Sequence, residues 1–214
     1  MAEFGAAATL LSDFTGADEN PLSEGGNWGK LNSADAQDLR RVSNQITSNG
    51  ATTGSKYWTP TNFGPHCEAY VTIATKPDNG NVVGVFARAQ GEGGSGTWDA
   101  YQAIFSAAAG TDTWALQTIT NNATVTTIAS GSREFASGEK VGIRCLGSLI
   151  QIWCFTAGAW TKLGEGTDTT YPNAGKAGAR VRGITARGDD FYAGTINPSL
   201  LLPNPNRPVI LRQR

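Results

Sequence analysis

Apolar and polar residues alternate with a period of two along most of the chain, and nowhere does a helical period hold over eleven or more residues. Strand-like runs fall at 7–14, 39–46, 67–75, 82–89, 100–107, 113–119, 124–129, 140–146, 149–155, 160–163, 177–183 and 190–196. The segments PDNGN, GEGGSG, GTD, NN and SGE separate several of these runs, each with residues that tolerate turn geometry. The stretch SADAQDLRR offers one helical turn at most.

The alternation assigns faces. VGIRCL-GS-LIQIWCF predicts a hairpin turning at Gly147-Ser148, with Val141, Ile143, Cys145, Ile150, Ile152 and Cys154 on its core face. Arg144, Gln151 and Trp153 fall on the other face. In 82–89 the core set is Val83, Val85 and Ala87, leaving Phe86 and Arg88 opposite. In 100–107, Tyr101, Ala103 and Phe105 point in and Gln102 out; in 177–183, Ala177, Ala179 and Val181 point in, Arg180 and Arg182 out. If these strands share a sheet, its outer face displays Arg88, Gln102, Arg144, Gln151, Trp153 and Arg182 together. Arg and Gln donate to sugar hydroxyls or partner carbonyls, and Trp153 and Phe86 supply flat apolar area. Any half-exposed sheet also alternates polar residues outward, so a plain solvated face accounts for the same pattern.

Composition narrows the class. The chain has 214 residues, 27 of them Gly, with 16% charged residues, which suits one all-β domain with many turns. A net charge of −1 provides no global field for nucleic acid. No apolar run approaches the ~18 residues of a membrane-spanning helix. The start, MAEFGAAATLLSDF, lacks a basic segment before its apolar stretch, so synthesis in a cytosol is expected. Three cysteines, Cys67, Cys145 and Cys154, make an odd set at irregular spacing. The hairpin register pairs Cys145 with Ile150 and Cys154 with Val141, which separates the two sulfurs by roughly 13 Å along the ladder. A disulfide needs Cα atoms within ~7 Å, so free buried thiols are expected.

Tests for chemistry return little. None of the glutamates at 3, 19, 24, 68, 92, 134, 139 and 165 starts a Glu-x-Asp-x-x-Glu motif, the strand signature of jelly-roll glucanases. The single histidine, His66, has no nucleophile elbow to serve and reads as structural. Gly91, Gly93 and Gly96 match G-x-G-x-x-G but lead into a strand, so they form a hairpin loop, with Trp98 packing its base or stacking on a sugar. Asp13, Asp189 and Asp190 offer oxygens for calcium, but without a D-x-D-x-D-G loop. No catalytic residue, metal site or cofactor is assigned.

Two segments frame the chain: LSDFTGADENPLSEGGNWGKL near the start and KAGARVRGITARGDDFYAGTI near the end. With VGVFARAQ between them, they resemble the concanavalin-like jelly-roll domains of lectins, glucanase relatives and bacteriophage minor tail and capsid decoration proteins. The resemblance covers roughly residues 7–196. It implies a two-sheet antiparallel jelly-roll sandwich, and first and last strands that pair so that the two Asp-Phe steps lie side by side. It further implies a non-enzymatic virion structural protein, made in the host cytoplasm, assembled as a homo-oligomer and contacting other virion proteins. A carbohydrate-binding module for cell-surface polysaccharide is the alternative, and a glycoside hydrolase relative a more distant one.

The last residues, 197–214, depart from this pattern. NPSLLLPNPNRPVILRQR carries four prolines and no acid, which favours an extended path. Its apolar and basic residues, among them Leu201, Pro205, Arg207, Ile210 and Arg212, suit an arm lying across a neighbouring subunit, or one folded back over its own sandwich.

Overall fold

Fifteen strands and one short 3-10 turn account for the regular structure of the described residues, 3–32, 38–94 and 97–200, in this computed structural model. They are β1 (Thr9–Ser12), β2 (Trp28–Lys30), β3 (Leu39–Val42), β4 (Gln45–Ser48), β5 (Thr53–Trp58), β6 (His66–Thr75), β7 (Val82–Gln90) and β8 (Asp99–Ser106). They continue as β9 (Thr113–Thr120), β10 (Thr124–Ser132), β11 (Lys140–Leu146), β12 (Leu149–Thr156), β13 (Ala159–Thr167), β14 (Lys176–Arg182) and β15 (Arg187–Thr195).

All strand pairs are antiparallel. Sheet A has the order β13-β12-β11-β6-β15-β4-β3, with β1 also on β15; sheet B has the order β10-β9-β8-β7-β14-β5-β2. The two sheets face each other, and alternate residues of each meet in one core. Val71, Ile73, Val141, Ile143, Ile150 and Ile152 of sheet A pack there with Val83, Val85, Tyr101, Phe105 and Val181 of sheet B. Burying each such side chain contributes about 1.5–3 kcal/mol, and the strict alternation is what lets both sheets do so at once. The architecture is the jelly-roll sandwich expected.

The terminal strands pair, with Ser12 opposite Phe191, so the two Asp-Phe steps are neighbours. Phe14 and Phe191 then both pack against Trp28, at ring separations of 5.6 and 5.1 Å. The hairpin at Gly147 has the predicted register, with Cys145 opposite Ile150 and Cys154 opposite Val141. All three cysteines are free and buried.

Two local expectations are corrected and two strands come to light that the alternation did not mark. The run 39–46 is two strands, because Ser43 and Asn44 both adopt positive φ (53° and 61°) and turn the chain. Strands β2 and β5 had no clear alternation signal. In β5 the inward positions include Gly54 and Lys56, and Lys56 is only 4% exposed because Asp38 pairs with it at 3.3 Å.

The second correction is Arg88, which points into the sandwich rather than out. Lys176 lies opposite Ala89 and Gly178 opposite Phe86, so Ala87 and Arg88 together face the single residue Ala177. This bulge, with Arg88 at φ 53°, turns both side chains inward. The guanidinium is 1% exposed and is held by carbonyls: Nη1 donates to Tyr171 (2.9 Å), Nη2 to Gly147 (2.7 Å) and to Pro65. His66 closes the same corner, its Nδ1 accepting the Gly147 N–H at 3.1 Å.

Candidate functional site: the outer face of sheet B

The residues expected to share one face are divided among three places. Arg88 is interior. Arg144, Gln151 and Trp153 lie on the outer face of sheet A, whereas Gln102 and Arg182 lie on the outer face of sheet B. Leu201, Pro205, Arg207, Ile210 and Arg212 lie outside the described residues.

On sheet A the N-terminal segment covers the expected ligand residues. Phe4, 2% exposed, stacks on Trp153 (5.1 Å) and meets Trp160 edge-on (4.4 Å). Gly142 makes this fit, since a Cβ there would stand 2.5 Å from the Phe4 ring. Arg144 is bound by the Glu68 carboxylate and by the Glu3 carbonyl at 2.6 Å. Gln151 donates to Glu165 and accepts from the Trp153 indole, so its amide is committed within the fold.

Sheet B is different. One register row across four strands reads Phe86, Gln102, Gln117, Thr127. Arg180 reaches into this row from β14. Its Nη1 donates to Gln102 Oε1 (2.8 Å), Gln102 Nε2 donates to Gln117 Oε1 (2.8 Å), and Gln117 Nε2 donates to Thr127 Oγ1 (3.4 Å). Each amide is thereby fixed in orientation. Gln102 is buried in the middle; Arg180 and Gln117 are half-buried and Thr127 exposed, so the row stays within reach of solvent.

An apolar wall stands at one end. Leu31, Phe86, Ala89, Trp98, Ala100 and Ile119 form a second small core on this outer face, with Tyr57 packed against it. Gly178 and Gly29 make room for the rings, since a Cβ would come within 2.4 Å of Phe86 and of Tyr57 respectively. Burial, and secondarily the charge of Glu92, push the Tyr57 hydroxyl above its ordinary pKa, so it stays a neutral donor and acceptor. Trp98 is 2% exposed and its indole N–H has no acceptor among the described residues.

The strands of sheet B contain one acid, Asp99, whose carboxylate accepts the Asn121 N–H at 2.8 Å. No carboxylate pair therefore stands along this row. Gln117, Thr127 and Tyr57 were not legible as site residues. The alternation in 113–119 places Gln117 outward, but only the register aligns it with Gln102.

The calcium reading of Asp13, Asp189 and Asp190 gains no geometry. Asp189 Oδ1 accepts the Asp190 N–H (2.9 Å), Asp13 Oδ1 accepts that of Thr15 (2.9 Å), and no metal-holding cluster occurs among the described residues.

No family model matches the sequence, and no curated protein does. Among solved structures the chain is similar to the carbohydrate-binding module CBM66 from Bacillus subtilis, at TM-score 0.62 and 14% identity over 81% of this chain and 99% of that one. It is also similar to the legume lectin-like domain from Entamoeba histolytica (TM-score 0.57, 11% identity, 88% of this chain, 100% of that one). A third is the Bacillus licheniformis β-glucanase (TM-score 0.53, 12% identity, 85% of this chain, 98% of that one). At these identities the likeness establishes the concanavalin-like lectin and glucanase fold.

Proposed function

We propose that this sandwich is a non-enzymatic glycan-binding module whose contact surface is the outer face of sheet B. The observation that carries the reading is the row Arg180–Gln102–Gln117–Thr127 beside the half-buried ring of Tyr57, which the buried Phe86 and Trp98 back from below. Sugars combine hydroxyls, which need oriented donors and acceptors, with flat C–H faces, which stack on aromatic rings. A fixed amide row next to aromatic surface supplies both. Folds of this kind occur in proteins described as a carbohydrate-binding module and as lectin-like, which supports the reading. The absence of paired carboxylates along the strands of sheet B supports binding over hydrolysis, which requires two acids flanking the bond. Calorimetric titration of bacterial and plant polysaccharides tests it. Saturable binding that Arg180→Ala weakens about tenfold, or ~1.4 kcal/mol, is expected. Release of reducing sugar would overturn the non-enzymatic part, and no binding to any polysaccharide the whole.

The setting we propose is the surface of a bacteriophage particle, with residues 197–214 docked on another virion subunit. The sequence resemblance to minor tail and decoration proteins, and the apolar, basic, proline-rich composition of that segment, support this. Unchanged particle incorporation after deletion of 197–214 would count against it.

A further inference from the structure

On the opposite side of the molecule from the amide row, two arginines stand together with no ion pair to any described residue. Arg40 lies opposite Thr47 in the β3–β4 pair. Ile46, the residue before Thr47, lies opposite Gly188 in the β4–β15 pair. Continuing that antiparallel register sets Arg187 beside Thr47 from the other strand. Ile46 points into the core, and a Cβ on Gly188 would also face Ile46 and Val71. Alternation therefore turns Arg40 and Arg187 to the outer side of sheet A, flanking Thr47 at a backbone separation of about 10 Å, two strand spacings. Side chains of this length converge readily across that gap.

Neither guanidinium makes a hydrogen bond or an ion pair with any described residue, and Arg40 Nε and Arg187 Nη1 are buried without an acceptor. The nearby carboxylates are engaged elsewhere: Asp18 Oδ1 accepts the Ser43 N–H (2.8 Å) and Asp78 Oδ2 the Thr185 hydroxyl (2.7 Å). Burial, then repulsion from Arg40, hold Arg187 below the usual arginine pKa, against the weaker pull of Asp18. Other buried cations are satisfied within the fold, Lys56 by Asp38, Arg144 by Glu68 and Arg88 by backbone carbonyls. Two adjacent arginines with no partner among the described residues, each with a buried donor, keep an uncompensated cost that an anion would remove.

We propose that Arg40 and Arg187 form a binding site for a phosphate group. The choice of anion follows from geometry. One guanidinium fork satisfies both oxygens of a carboxylate, whereas a phosphate presents oxygens on several sides and accepts from two forks at once. The phosphate is either free or carried as a diester on a surface polymer. The site shares no residue with the face of sheet B, so it stands or falls independently of the glycan reading.

Calorimetry and thermal melting of the full chain with inorganic phosphate and with glycerophosphoglycerol, against sodium chloride at matched ionic strength, test the site. Saturable binding of either probe is expected, with a rise in Tm that chloride does not reproduce. Arg40→Gln and Arg187→Gln should each weaken it at least tenfold. Each variant relieves the repulsion, so its Tm without phosphate should equal or exceed that of the parent, which separates lost binding from misfolding. Tighter binding of the diester assigns the polymer source; tighter inorganic phosphate assigns the free ion. Equal responses to phosphate and chloride, or a phosphate response that survives in the double variant, would overturn the proposal.

Discussion

The Arg144 guanidinium grips the Glu68 carboxylate through two nitrogens, at 2.7 and 3.0 Å, with side chains only 2% and 0% exposed. The other Glu68 oxygen accepts the N–H groups of Ala7 (2.7 Å) and Ala8 (3.1 Å), so one carboxylate ties the N-terminal segment to two strands of sheet A. Glu68→Gln leaves a buried guanidinium without its counter-charge, and a loss of about 3 kcal/mol is expected in urea unfolding. The pair Glu68→Leu with Arg144→Met should cost less than the two single changes summed. Additive losses would show that the two side chains do not act together.

The amide row calls for the opposite signature. Gln117→Ala touches a half-buried residue next to the row's exposed end at Thr127, so stability should stay within about 0.5 kcal/mol. Polysaccharide affinity should nevertheless fall by about tenfold. Trp153→Ala, on the covered face of sheet A, should leave affinity unchanged while lowering the melting temperature. Affinity that follows Trp153 and ignores Gln117 would move the site to the other sheet.

Acid should unfold the protein partly through Asp112. Burial raises its pKa, but the Lys76 ammonium (2.8 Å) and the N–H groups of Phe135 (3.0 Å) and Ala108 (3.1 Å) outweigh this and hold it below its ordinary value of 3.8. Because the folded pKa is the lower one, the stabilisation is complete above the unfolded value and is lost as pH falls through the folded one. Lys76 is 37% exposed and its pull is partly screened, so the two backbone donors share the effect with it. Asp112→Asn should therefore lower stability at neutral pH and flatten its fall below about pH 4. A parent whose stability is level from pH 5 to 2 would rule this out.

The thiols should be inert in the folded state. Cys145 lies opposite Cys67 across β6 and β11, and both are sealed in the core. Burial pushes Cys145 far up and Cys154 to about 12, while a hydrogen bond with Cys145 draws Cys67 down; Cys67 is only 1% exposed, so its inertness rests on exclusion of the reagent. An Ellman titration at pH 8 should count no thiol before denaturant and all three afterwards. One rapidly titrating thiol in native protein would show an open path into the sandwich.

Alternation made most strands legible, because each sheet has one face in a shared core and a period-two pattern can satisfy that in only one way. Strands β11 and β12 and the Gly147 turn followed from their residues alone, as did the inward sets of β8 and β14. The three-residue β2 was too short to show a period, and β5 was hidden because Gly54 and Lys56 occupy inward positions. Lys56 is tolerated there only through Asp38, a partner from a different segment.

What the sequence by itself determined was the all-β class, the inward faces of β8, β11, β12 and β14 and the free state of its cysteines, all consequences of local period and turn chemistry. What the tertiary structure decided was which outward residues meet. Arg144 and Gln102 have the same local signature, yet long-range pairing sends one to sheet A, under Phe4, and the other to sheet B, beside Gln117 and Arg180. Arg88 was reversed by a single extra residue in β7, since a bulge shifts the phase of alternation without changing composition. Strand order and register are set by contacts between distant segments, and no period along the chain encodes them.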